Sequence, residues 1–185
     1  SALSPGRWRQ ISLLPGATTA GLVLLLSYAM LFWTTVQRIS KVEDVERLLR
    51  WLAWAAVAMA ALGLLQLFAG NGKFFWFYEA PLTDTSGVAK GSFTNRNHFA
   101  HFLALGVGAV IWWILDARRG RRDRAADPFE RQNARVGDAA FRWLGLGLVV
   151  FAVLLSLSRG GAGVTLLAAA VSILACRRAG VLGAR

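Results

Sequence analysis

Residues 143–176, from Trp143 to Cys176, read WLGLGLVVFAVLLSLSRGGAGVTLLAAAVSILAC and carry a single charge, Arg159, in 34 positions. The apolar residues come in uninterrupted blocks rather than at the spacing of a half-buried helix or strand, which is the signature of membrane-spanning segments. As one straight helix at about 1.5 Å per residue the stretch would extend about 51 Å, against a hydrocarbon core of about 30 Å. Two short spans meeting at a turn of Ser158-Arg159-Gly160-Gly161 fit that thickness. A single long helix projecting from the membrane is the alternative.

Working outward, the same texture recurs. Ala17 to Val36 and Trp51 to Gly70 are charge-free blocks of twenty residues, and a third apolar block runs from His98 to Leu115. The fold class expected is all-α, a polytopic transmembrane bundle of about five spans at 17–36, 51–70, 98–115, 143–157 and 162–176. The whole chain, 1–185, reads as one membrane domain and is expected to be a piece of a longer polytopic protein. Pro15 and Gly16 mark the first span's start, Asn71-Gly72 breaks the second, and Asn95 or Asn97 is placed to cap the third. The five aromatics from Phe74 to Tyr78 suit a membrane–water interface.

Composition agrees. The chain is 56% hydrophobic and 17% charged with a mean hydropathy of +0.47, where a soluble domain carries about 25% charged residues. Its net charge of +11 rests on 18 arginines and 3 lysines. They lie between the apolar blocks and form no basic stripe on an independent unit, so nucleic acid is not the expected partner; membrane lipid is. Loops alternate sides. Segment 37–50, the Arg-rich loop 116–142 and the tail then share one face with fifteen basic residues, against four in the outer loop 71–96 and the turn at 158–161. The positive-inside rule puts the first group in the cytoplasm. The single cysteine, Cys176, rules out an intrachain disulfide and any cysteine-based zinc pattern.

Two places on the opposite, outer face gather chemistry. Gly91-Ser92-Phe93-Thr94-Asn95-Arg96-Asn97-His98-Phe99-Ala100-His101 sets amides, a guanidinium and imidazoles where a loop re-enters the membrane. It reads equally as a helix cap with interfacial polar residues, or as an anion site in which Arg96 forks onto a ligand beside a helix N-terminus. His98 and His101, at i and i+3, lack a third ligand nearby, so no metal is expected. Around Arg159, glycines 160, 161 and 163 allow close approach by a ligand or another helix. An arginine deep among apolar residues costs about 2.5–3.5 kcal/mol on insertion scales and usually faces a partner or a watery cavity; the bland alternative is snorkelling to the headgroups. No phosphate-binding loop, dinucleotide fingerprint or catalytic triad pattern is present, and no cofactor is expected.

Gly91 to Ala100 at a helix entrance, followed some sixty residues later by Leu157-Ser158-Arg159-Gly160-Gly161 at an outer turn, resembles the bacterial O-antigen ligase and O-antigen polymerase family. Trp8, Ile11-Ser12-Leu13 and Pro15 before a span are similar to the segment preceding that core, so the resemblance covers about Trp8 to Cys176. It implies a metal-independent membrane glycosyltransferase of GT-C type in the bacterial inner membrane, serving lipopolysaccharide or other cell-envelope polysaccharide synthesis. Its substrate would be a polyprenyl-diphosphate-linked glycan. Carried over, Arg96 and Arg159 would contact the diphosphate, with Asn95, Asn97 and His98 shaping the pocket. The family's acceptor-activating histidine comes from a later periplasmic loop that has no counterpart here, so no catalytic base is assigned. The competing classes are a transporter or channel subunit and a non-catalytic scaffold. Polar groups concentrated on one outer face, rather than at mid-membrane, favour the enzyme.

Overall fold

A computed structural model describes residues 14–71, 73–78, 87–119 and 128–180, with side chains except those of 117–119 and 128–136. Among them the regular structure is all helix: α1 (Pro15–Arg38), α2 (Val42–Ala69), α3 (Arg96–Arg119), α4 (Pro128–Leu155) and α5 (Arg159–Arg178). All five are long and apolar enough to cross a membrane, so the chain is a multi-pass helical membrane protein. Residues 1–13, 72, 79–86, 120–127 and 181–185, with parts of both polar loops, lie outside the described residues.

The helices outrun their apolar blocks. α2 begins at Val42, inside the polar segment, because Asp44 Oδ2 accepts from the Ser40 and Lys41 backbone N–H groups at 3.3 and 3.2 Å. An acid reaching back in this way satisfies donors that a helix start leaves open. α3 continues to Arg119 and α4 starts at Pro128, so the segment 116–142 is helical at both ends. Proline at the first helical position gives up an N–H that has no partner there anyway. Backbone hydrogen bonding has no reason to stop where hydrocarbon does.

Contacts within the chain sort it into two compact units, residues 1–46 and 47–185. In the first, α1 has no buried residue. Its hydroxyls are turned onto its own backbone: Thr19 donates to the Pro15 carbonyl, Ser27 to Val23, Thr34 to Met30 and Thr35 to Leu31. Hydroxyls bonded back onto their own helix leave fewer open polar groups on its apolar surface.

The second unit is built around α3. Of its membrane-length window 67% is buried, against 28% or less in every other helix. Small residues set the spacing. A Cβ on Gly106 would collide with Ala56 of α2, and one on Gly63 would lie 2.6 Å from the Phe99 ring. The pairings 63–99 and 56–106 run in opposite directions, so α2 and α3 are antiparallel. Facing α5, the pairings are Asn97–Ser158, Ala100–Gly161 and Gly108–Ser172, which advance together. α3 and α5 are therefore parallel. Phe99, Leu103, Val107, Val149, Ala152 and Val153 fill the space between them and α4.

At the far end Arg142 locks α4 to α3. Its Nη1 donates to the Trp113 carbonyl at 2.8 Å, its Nη2 meets Asp138 at 3.0 Å, and its guanidinium lies 4.9 Å from the centre of the Trp113 ring. Trp54 of α2 packs on both Trp113 and Phe141. The N-termini of α3 and α5 thus share one end of this unit, and Arg50, Arg142 and Arg178 lie toward the other. A single cysteine at Thr94 or at Gly137, in a Cys176→Ser background, tests which end faces out. An impermeant thiol reagent on intact cells should label Thr94→Cys and leave Gly137→Cys until the membrane is opened; the reverse would overturn the positive-inside assignment.

Candidate functional site

The link between α4 and α5 is three residues, Ser156-Leu157-Ser158, and not the Ser158–Gly161 turn that the glycines suggested. Leu157 takes φ of +51°, a left-handed conformation uncommon for a side chain of this kind, while Gly160, Gly161 and Gly163 stay in ordinary helical backbone. The serines make the break tolerable. Ser156 Oγ donates to the Val153 carbonyl at 2.6 Å, closing α4, and accepts from the Ser158 N–H at 3.3 Å. Ser158 Oγ accepts from the Gly161 N–H at 3.0 Å, so the helix restarts at once with Arg159 as its first residue.

The same hydroxyl has one proton to give, and it goes to Asn97 Oδ1 of α3 at 2.8 Å, across 61 residues of sequence. Asn97 is the second residue of α3, and its own N–H is capped by Asn95 Oδ1 at 2.8 Å. Asn95 is therefore the cap, and Asn97 is the bridge. One turn further in, a Cβ on Gly161 would collide with that of Ala100. Two parallel helices consequently begin side by side, stapled at their first turns.

What this arrangement exposes is positive. Arg96 and Arg159 are the first residues of α3 and α5, and both are exposed. Neither helix has an acidic residue in its first turn. Each helix start carries roughly half a positive charge from its unpaired N–H groups, so two dipole ends and two guanidiniums reinforce one another. Among the described residues neither guanidinium is engaged in a hydrogen bond or ion pair. His98 and His101 lie on the exposed part of α3, and no group of three His, Cys, Asp or Glu side chains suited to a metal occurs among the described residues.

The approach to the site is fixed by the loop before α3. Ala89 N–H donates to the Leu155 carbonyl at 3.0 Å, tying the loop to the end of α4, and Phe93 N–H donates to the Lys90 carbonyl at 3.0 Å. Gly91, at φ +56°, closes this turn where a Cβ would lie 2.8 Å from Phe99 and 3.0 Å from Met59 Sδ. Lys90 is buried here, 8% exposed. Sequence alone marks it only as a loop cation, since nothing in Ala89-Lys90-Gly91 signals burial. Nor does sequence single out Ser158 as a bridging residue, although the serine stands in the quoted motif.

Below the site, an apolar groove of about 430 Å³ opens between α3, α4 and α5, lined by Val107, Ile111, Leu146, Val150, Thr165 and Leu166 among others. Thr165 contributes no free hydroxyl, because its Oγ1 donates to the Gly161 carbonyl at 2.7 Å. Comparison with models of known families, with curated proteins and with solved structures finds no match to this chain.

Proposed function

We propose that this chain is the membrane core of an O-antigen ligase- or polymerase-like glycosyltransferase of the bacterial inner membrane, which holds a polyprenyl-diphosphate-linked glycan at the outer ends of α3 and α5. The observation that carries the reading is the Ser158–Asn97 hydrogen bond, which brings the two sequence motifs together at adjoining helix starts. A diphosphate offers oxygens that can accept hydrogen bonds from two guanidiniums and from the helix-start N–H groups left open beside the Asn95 and Ser158 caps. Fixed cations of this kind stabilise the charge that develops on the diphosphate as its bond to the sugar breaks.

The groove supports the same reading. Thr165 lies six residues after Arg159, about 9 Å deeper along α5 at 1.5 Å per residue. The groove runs on past Ile114, Leu115 and Ile173 toward the far end of the unit, so a lipid whose diphosphate sits at the helix starts would reach it with isoprene units beyond the first, where burial of apolar surface favours them. No acceptor-activating base is assigned among these residues. The chain's contribution is to bind and orient the carrier.

The test is binding. The purified chain in detergent should retain a polyprenyl diphosphate and release the corresponding polyprenol, and Arg96→Ala with Arg159→Ala should abolish the difference. Equal retention of diphosphate and alcohol by the unaltered chain would end this reading.

A further inference from the structure

The hydroxyl of Ser158 decides more than the spacing of α3 and α5. Ser158 is buried, 5% exposed, and its Oγ already accepts from the Gly161 N–H at 3.0 Å. Its proton has to be donated, and among the described residues the acceptor is Asn97 Oδ1 at 2.8 Å. A carboxamide carries an acceptor on one side and two N–H donors on the other. If this amide were turned over, Nδ2 would face the Oγ, and the hydroxyl proton would be left buried without an acceptor. That arrangement is costly, so the serine fixes which way the amide faces. The residue itself is held from the other side, where its backbone N–H donates to Asn95 Oδ1 at 2.8 Å.

The consequence lies on the far side of the amide. With Oδ1 on a buried hydroxyl, the NH2 group takes the open side of a residue that is itself exposed. Among the described residues no group accepts from Nδ2. Its N–H bonds stand at the same end of the unit as Arg96 and Arg159, the first residues of α3 and α5. Arg96 directly precedes Asn97 and Arg159 directly follows Ser158, so the amide and its anchor each have a guanidinium as chain neighbour. We infer that Asn97 Nδ2 donates to a phosphoryl oxygen of the diphosphate, and that Ser158 is the positioning residue that makes this amide a donor. The inference rests on the carrier reading above. An amide presenting Nδ2 offers an anion N–H groups, whereas one presenting Oδ1 meets it with lone pairs. One buried proton therefore decides whether the neutral group beside the two arginines attracts the ligand or repels it. Ser158 does this through Asn97 and needs no contact with the ligand.

Glycine at position 158 separates this role from helix capping, because it costs a helix start little compared with serine yet takes the proton away. The purified Ser158→Gly chain in detergent should bind polyprenyl diphosphate roughly tenfold or more weakly than the unaltered chain, as the loss of one hydrogen bond to a charged group implies. Retention of polyprenol should not change. Ser158→Thr, which keeps the hydroxyl, should bind normally. In nuclear magnetic resonance spectra of the isotope-labelled chain, the Asn97 side-chain NH2 signals, identified by their absence in Asn97→Asp, should move when inorganic diphosphate is added. In Ser158→Gly they should move much less. If the unaltered chain does not prefer the diphosphate to the alcohol, the carrier reading falls and this inference falls with it. If that preference exists but survives in Ser158→Gly, or the Asn97 signals stay still, the inference is overturned while the carrier reading stands. Should Ser158→Gly lower the melting midpoint in detergent, the Asn97 signals of the unaltered chain decide alone.

Discussion

On the proposed glycosyltransferase reading, Arg159→Lys is expected to lower glycan transfer roughly 30- to 1,000-fold, which corresponds to about 2–4 kcal/mol of lost transition-state stabilisation. Lysine keeps the charge but loses the planar fork, and a diphosphate gripped at two oxygens discriminates between the two side chains. Arg159→Ala should lose at least as much. Neither change should disturb the fold, because the residue is exposed and the helix start is held by Ser158 rather than by the arginine. Transfer from a lipid-linked glycan in isolated membranes, with protein level and thermal stability measured alongside, gives the result. An arginine that only snorkels to headgroups would be replaced by lysine without cost. Near-normal transfer in Arg159→Lys would remove the forked contact, and near-normal transfer in Arg159→Ala would remove the residue from the site.

Gly161→Val should have the largest structural effect. The added atoms would drive into Ala100, and neither side can yield because both positions lie on helix backbones in contact. Overpacking of this kind typically costs about 1–3 kcal/mol. Here it also pries apart the first turns of α3 and α5, so the melting midpoint in detergent should fall and retention of polyprenyl diphosphate should be lost with it. Gly160→Ala and Gly163→Ala are the controls. Both positions meet open space, and alanine in a helix is favoured over glycine by about 1 kcal/mol. They should hold or raise the midpoint. If Gly161→Val melts and binds like those two, the close approach of α3 and α5 does not build the site.

The number of spans is legible in the sequence because an uninterrupted apolar run of membrane length is rarely anything but a membrane helix, and each of the five runs overlaps one helix. The ends are less so. Charge marks where hydrocarbon stops, whereas helix ends are set by capping, and Asp44 and Pro128 act beyond the apolar blocks. The break between α4 and α5 falls earlier than the glycines suggest for a related reason. The serine before them satisfies a helix start and leaves them helical, while the left-handed residue is a leucine. Arg96 and Arg159 stand out separately, as charges at the edge of apolar runs. What joins their helices, one hydroxyl donating to one amide, depends on packing between distant segments and has no local signature. The burial of Lys90 is hidden from sequence in the same way.

The bond between Ser158 and Asn97 also imposes an order in time. Its two ends are separated by 61 residues. At about 5–20 residues per second, a ribosome needs roughly 3–12 s to pass from one to the other. Over that interval α3 is already made while α4 and the start of α5 are still being added, and Asn97 has no hydroxyl to meet. The paired helix starts are thus among the last features of this segment to be completed during synthesis, and a nascent chain interrupted before Ser158 carries the first arginine without the second.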